Sequence, residues 1–241
     1  ILLTILGSDV QLSDTDGIIK VKNHVNLVAN EFNLTTTYIS SSFRQIIRQG
    51  LLTEMVYDKS KDNWWHGFQH GIALIGHAAP IAYINKVKTI YMPSTFTARD
   101  KNITCASYPT IDNNIKIGST NVFHEGFEFN RQEKMELVCN FSKNNTKKIT
   151  LRVCWESSGG GNCNKCEKCI RTILAICAEG SDPTSFGFNP DYKYIKKFVK
   201  YFELFKVNFR YKLMFQKDKK ISVYSICYKF MEKTSIVIVV I

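Results

Sequence analysis

The chain has 241 residues, of which 44% are hydrophobic and 22% charged, and its formal net charge is +11. This length suits one large domain or a domain with an appendage, and the composition excludes wholesale disorder, collagen-like and coiled-coil architectures. The longest purely apolar run, residues 236–241, falls well short of the roughly 20 residues of a membrane-spanning helix, so no membrane partner is expected.

Residues 1–6 read as a buried strand, and they lack the basic region and the length of an export signal. A chain that opens directly on a strand suggests that an upstream segment is missing. Gly7-Ser8-Asp9 marks a turn, and Ser13 or Asp14 is placed to cap a helix. Ile18, Val21, Val25, Val28 and Phe32 then recur in steps of three and four, the period of one helix face. Residues 36–39, β-branched and aromatic, predict the next strand. Over 62–85 a stripe of Trp64, Phe68, Ile72, Ile75 and Ala79 predicts a helix, kinked or split at Pro80. Residues 87–92, 120–124 and 149–153 predict three further strands, with a helix over 130–141 between the last two. Strands alternating with helices define an α/β fold with a mostly parallel sheet. Ligands of such sheets sit beyond the carboxyl ends of the strands, here the segments 7–13, 93–118 and 124–134.

The texture changes after Asp191. Tyr194, Phe198, Tyr201, Phe205 and Phe209 predict an amphipathic helix with a basic opposite face, while 221–228 and 235–241 look strand-like. Residues 191–233 hold 12 Lys and Arg against 4 Asp and Glu, a net +8 of the chain's +11. A basic segment interleaved with Tyr and Phe suits a phosphate-rich partner, so 191–233 is a candidate nucleic-acid contact. A solvated lysine-rich surface is the alternative.

Cys154, Cys163, Cys166 and Cys169 form a C-x8-C-x2-C-x2-C pattern. Each C-x2-C step lets two thiolates reach one ion from a tight turn, and Cys154 can supply the fourth corner of a tetrahedron. Four thiolates leave no open coordination position, so zinc here is expected to be structural. An iron–sulfur cluster, two disulfides and four free thiols are the alternatives. The spacing favours metal and a reducing, cytoplasmic setting. Cys105, Cys139, Cys177 and Cys227 read as small buried residues, and His66, His70 and His77 as packing and capping residues.

The stretch Leu151-Arg152-Val153-Cys154-Trp155 followed by Asn162-Cys163-Asn164-Lys165-Cys166-Glu167-Lys168-Cys169-Ile170-Arg171-Thr172 resembles a bacterial and archaeal PP-loop family. This is the N-type ATP pyrophosphatase-like, adenine nucleotide alpha hydrolase-like family that includes 7-cyano-7-deazaguanine synthase. Ala106-Ser107-Tyr108-Pro109-Thr110-Ile111-Asp112 is similar to its Ser-His-Pro-x-x-Asp loop, with Tyr108 where His is usual. His124-Glu125-Gly126, Arg131-Gln132-Glu133-Lys134 and the stretch from Trp65 to Gly71 are similar to further family segments.

The resemblance implies a Rossmann-like, mostly parallel sheet flanked by helices over residues 1–185, carrying the four-cysteine zinc loop, and a basic C-terminal extension over 186–241. It implies ATP-dependent ligation or amidation of a small molecule through an adenylated intermediate, with ATP and Mg²⁺ required in an intact relative. The family's Ser-Gly-Gly-x-Asp-Ser loop, which holds pyrophosphate on backbone amides and a helix N-terminus, is not present. Ser158-Gly159-Gly160 lies inside the cysteine loop and opens no helix after a first strand. The expectation is therefore a truncated or degenerate copy that does not hydrolyse ATP alone, the alternatives being a module that binds or modifies transfer RNA and a non-enzymatic, zinc-stabilised interaction domain. In an intact relative Arg131 and Lys134 would meet anionic oxygens, or else form a salt-bridged helix face with Glu133. Asp112 would bind Mg²⁺, orient an amine or cap a turn. His124 would hydrogen-bond or act as acid and base, and Ser94 and Ser107 would contact substrate or phosphate. The small-molecule substrate is not legible.

Overall fold

The computed structural model describes residues 1–94, 96–97, 104–154 and 159–205. Phe209, the basic residues beyond 205, the predicted strands at 221–228 and 235–241, Cys227, Trp155 and Ser157-Ser158 lie outside the described residues. The fold is mixed α/β. The described residues group into two compact units, Ile1–Glu128 and one that starts at Phe129.

In the first unit, β1 (Leu2–Leu6) pairs in parallel with β2 (Thr36–Ser40), joined by α1 (Thr15–Glu31). Asp14 caps α1 by accepting from the Gly17 amide, which meets one of the four orphan donors of a helix start. Val21, Val25 and Val28 form its buried face, as their spacing predicts. Gly7 ends β1 at a φ of +92°, and a Cβ there would stand 2.2 Å from the Ser41 carbonyl oxygen, so no other residue fits. Next come two helices that the sequence pattern does not reveal, α2 (Phe43–Ile46) and α3 (Gln49–Ser60).

The expected helix over 62–85 is present but changes pitch. A π-helical turn, Trp65–Gln69, leads into α4 (His70–Ile84), and the His70 amide reaches back to the Trp65 carbonyl. The extra residue of a π turn rotates the downstream helix about its axis. The buried face is therefore Gly71, Ile75, Ala78 and Ala82, while Phe68 and Ile72 point outward, a correction to the predicted stripe. Pro80 lies inside α4 without ending it.

A second sheet has the order β3-β5-β4. β3 (Thr89–Pro93) and β5 (Thr120–Glu125) are parallel, and the short β4 (Lys116–Ile117) is antiparallel to β5. α4 packs against β1 and against all three strands of this sheet, and Ile75, Met92 and Val122 form a common core. The loop into α5 (Pro109–Asp112) lies close on α4: a Cβ on Gly71 would meet Asp112 Oδ1 at 2.6 Å and the Ala106 carbonyl oxygen at 2.8 Å. Glycine is what lets this loop approach.

The described part of the second unit is helical. α6 (Arg131–Asn144) opens with a reciprocal capping box between Asn130 and Glu133. α7 (Glu167–Ala178) is buried continuously from Cys169 to Ile176. Met135 and Cys139 of α6, Ile170 and Ile173 of α7, Leu151, Val153, Phe186 and Ile195 of α8 (Tyr192–Phe205) share one core with Cys154, Cys166 and Cys169. The predicted strand at 149–153 does not form: it pairs with no strand among the described residues. Its backbone bonds go to the Asn162 side chain and to the Phe186 carbonyl instead, so sheet pairing is replaced by a side-chain clamp. In α8 the packed residues are Ile195, Phe198 and Val199, while Tyr194 is exposed.

Candidate functional site

The four cysteines of the spacing pattern converge. Their sulfurs all lie within 4.8 Å of one another, with Cys154 to Cys166 at 3.7 Å and Cys163 to Cys169 at 4.0 Å. Sulfurs bonded at about 2.3 Å to one tetrahedral ion stand about 3.8 Å apart, whereas a disulfide needs about 2.05 Å. The set fits a mononuclear ion. Local sequence builds it: Asn162 Oδ1 accepts from the Val153 amide at 3.0 Å, and its Nδ2 donates to the Leu151 carbonyl at 2.7 Å. Asn164, at a φ of 59°, turns the chain so that the Lys165 and Cys166 amides donate to Cys163 Sγ at 3.4 and 3.2 Å. Those amides overcome the effect of burial and lower the Cys163 thiol, while burial pushes Cys166 up to about 11 and Cys169 higher still. Four such thiols ionise together only around a cation.

Arg131, at the first turn of α6, has a different environment. It is 5% exposed, and none of its three guanidinium nitrogens has a hydrogen-bond partner among the described residues. Burial and the charge of Arg171 push it well below the usual guanidinium range, with Glu167 opposing. Glu167 is itself held by Arg171 at 2.5 Å. Lys134 is half-buried one turn on, and Glu133 commits its carboxylate to the Asn130 amide at 2.6 Å in the capping box.

Ser107, Asp112 and His124 are brought together in the first unit. Asp112 Oδ2 accepts from Ser107 Oγ at 2.7 Å and lies 2.7 Å from His124 Nδ1, and all three residues are buried. The His124 amide donates to Asn113 Oδ1 at 2.7 Å. This network pins the loop before α5 to the end of β5. Ser94 is buried at the end of β3, where its amide extends the pairing to Glu125 at 2.9 Å. His77 has the packing role read for it, bonded to the Ala73 carbonyl at 2.6 Å and to Ser41 Oγ at 2.8 Å.

One cluster escapes a reading of the sequence. His66 Nδ1 pairs with Asp62 Oδ2, and interaction with Cys105 and with that carboxylate holds the ring up at about 9 despite burial. The His66 carbonyl accepts the Ala106 amide at 2.8 Å, which fixes Cys105 over the π turn. The spacing of His66 and His70 is visible in the sequence, but nothing local marks the distant segment at Ala106 as the neighbour of this turn.

Four lysines of α8, Lys193, Lys196, Lys197 and Lys200, are exposed opposite Ile195. No described helix is long and apolar enough to cross a membrane. No protein-family profile, no curated protein and no solved structure matches the chain.

Proposed function

We propose that the chain is a nucleotide-handling α/β protein of the PP-loop type, with a structural zinc and an anion site at Arg131. The parallel pairs β1-β2 and β3-β5 lie in two separate sheets, and α4 packed against β1 and against the second sheet supports a Rossmann-like reading of the first unit. The compact sulfur set supports zinc over a multi-iron cluster, whose bulk would hold the sulfurs further apart. The observation that carries the reading is the Arg131 guanidinium. A buried arginine keeps its charge, and leaving that charge unpaired is costly, so an anionic ligand is the natural partner. Phosphate oxygens suit its planar fork, and the α6 N-terminus adds a favourable dipole. Resemblance makes ATP-dependent ligation or amidation the parent activity. With no Ser-Gly-Gly-x-Asp-Ser loop among the 241 residues, anion and nucleotide binding, not ATP cleavage, is assigned to this chain.

Isothermal titration of the full chain with inorganic pyrophosphate and with ATP tests this. Saturable binding is expected, weakened about 10-fold or more in Arg131→Met by loss of charge-assisted hydrogen bonds. Without ligand the same variant should be no less stable, because an unpaired buried charge is gone. Undiminished binding in Arg131→Met would remove the reading.

The exposed α8 lysines favour a second reading, contact with nucleic acid. Binding of a fluorescent single-stranded RNA should then fall steeply with salt and weaken when Lys193, Lys196, Lys197 and Lys200 are changed to Ala. Salt-independent binding, or none, would contradict it.

A further inference from the structure

β5 alternates buried and exposed residues along its whole length, so one face of the β3-β5-β4 sheet packs on α4 and the other is open. The strand register shows what the open face carries. Tyr91 stands opposite Phe123, and in the next row of that face Lys116 and Thr89 flank Asn121. Tyr91 is 62% exposed and Phe123 41%, with their rings 6.1 Å apart and edge-to-face. Phe127, just past the strand, adds a third ring 6.4 Å from Phe123. Parallel pairs such as β3-β5 are normally covered on both faces, so aromatic rings left open on one of them call for a partner.

We propose that this face is a stacking platform for single-stranded nucleic acid, with bases laid on Tyr91 and Phe123 and phosphates held at the lysine end of the sheet. Polarity decides the occupant. Asn121 and Glu125 flank Phe123 on the same face of β5, so no continuous apolar stripe exists for a helix or a second copy of the chain to bury. Isolated rings among polar groups suit a nucleobase instead, which has an apolar face and a hydrogen-bonding edge. Charge sets the direction. Lys86, Lys88 and Lys116 are exposed at the end where β3 and β5 begin, and none of them forms a salt bridge among the described residues. The Lys88 carbonyl accepts the Asn121 amide at 2.9 Å, which ties this end to the row of Asn121 and Lys116. Glu125 and Glu128 lie at the other end, which a phosphate backbone avoids. Asn121, between the lysines and the rings, offers a base edge both a donor and an acceptor.

Every residue of the platform belongs to the first unit, so it stands independently of the Arg131 anion site and of the α8 lysines. A platform of this kind reads the flat face that all bases share and therefore tolerates sequence. Its affinity has two parts. The lysines supply a salt-dependent part common to any polyanion, and the rings supply a part that needs bases. An abasic strand separates the two, because it keeps the phosphates and loses the bases.

The full chain is titrated by fluorescence anisotropy, at several salt concentrations, with a labelled oligoadenylate of about 10 nucleotides and with an abasic strand of the same length. The oligoadenylate should bind about 5-fold or more tightly than the abasic strand. Tyr91→Leu and Phe123→Leu should each weaken the oligoadenylate about 5-fold or more and leave the abasic strand unchanged, whereas Tyr91→Phe should bind as the native chain does. Lys116→Ala should weaken both strands alike and flatten the salt dependence. Circular dichroism confirms that each variant is folded. Photocrosslinks from an iodouridine-substituted strand, mapped by peptide mass spectrometry, should fall on the peptides of β3 and β5. Equal affinity for the two strands, full binding by folded Tyr91→Leu and Phe123→Leu, or crosslinks confined to residues beyond 191 would overturn the proposal. A dimer that those same substitutions dissociate would also overturn it, since a second copy would then cover the face. Binding lost only on changing the α8 lysines would do so too, while leaving the second reading above intact.

Discussion

Stripping the metal with a strong chelator, or replacing Cys169 with serine, is expected to unfold the helical unit, at a cost of at least about 4 kcal/mol. Cys169 is fully buried in the first turn of α7, and that helix is buried without interruption through Ile176. The sulfurs share a core with Leu151, Val153, Phe186 and Ile195, so a bound ion and the apolar packing would hold the same residues together. Without a cation, burial keeps Cys166 and Cys169 protonated, and four strong metal–sulfur bonds give way to weak thiol contacts. Serine at 169 offers a smaller oxygen ligand that zinc in such sites rarely takes. Hydrogen exchange over α7 is the direct readout: amides from Cys169 to Ile176 should lose protection on chelation and regain it when zinc is restored. Protection that survives chelation would show that apolar packing alone suffices.

Asp112→Ala should be the most damaging single change in the first unit, at about 3 kcal/mol or more. Asp112 is fully buried, and one of its oxygens serves both Ser107 and His124. Removing it deprives two buried polar side chains of their shared acceptor, beneath the loop that Gly71 holds close. Asp112→Asn keeps an acceptor and should cost less. Urea unfolding measures the difference, and it also separates two roles for this carboxylate. A Mg²⁺ ligand awaiting its ion is a liability in the free protein, so its removal would stabilise the chain. A stabilised Asp112→Ala would thus return Asp112 to the metal-binding role that the family resemblance suggests.

How much is legible in the sequence depends on how local each feature is. α1 and the four cysteines are readable because a helix face and a C-x2-C turn are short-range patterns. The segment at 149–153 has the composition of a strand, yet Asn162 takes the place of a neighbouring strand, and composition does not specify a backbone's partner. Phe68 lies within the π turn and Ile72 just beyond it, so both depart from the predicted face, and no residue type announces such a turn. Asp112 and His124 stand out individually through the family resemblance, but their contact with each other depends on how α5 returns to β5. The bond from the Ala106 amide to the His66 carbonyl is the extreme case, a long-range contact that no local pattern marks.

X-ray absorption at the zinc edge, combined with elemental analysis of protein purified without added metal, tests the metal centre most directly. One zinc per chain with four sulfur neighbours at about 2.3 Å is the result expected from Cys154, Cys163, Cys166 and Cys169. A substoichiometric metal content, or a shell containing oxygen or nitrogen in place of any of the four sulfurs, would contradict it.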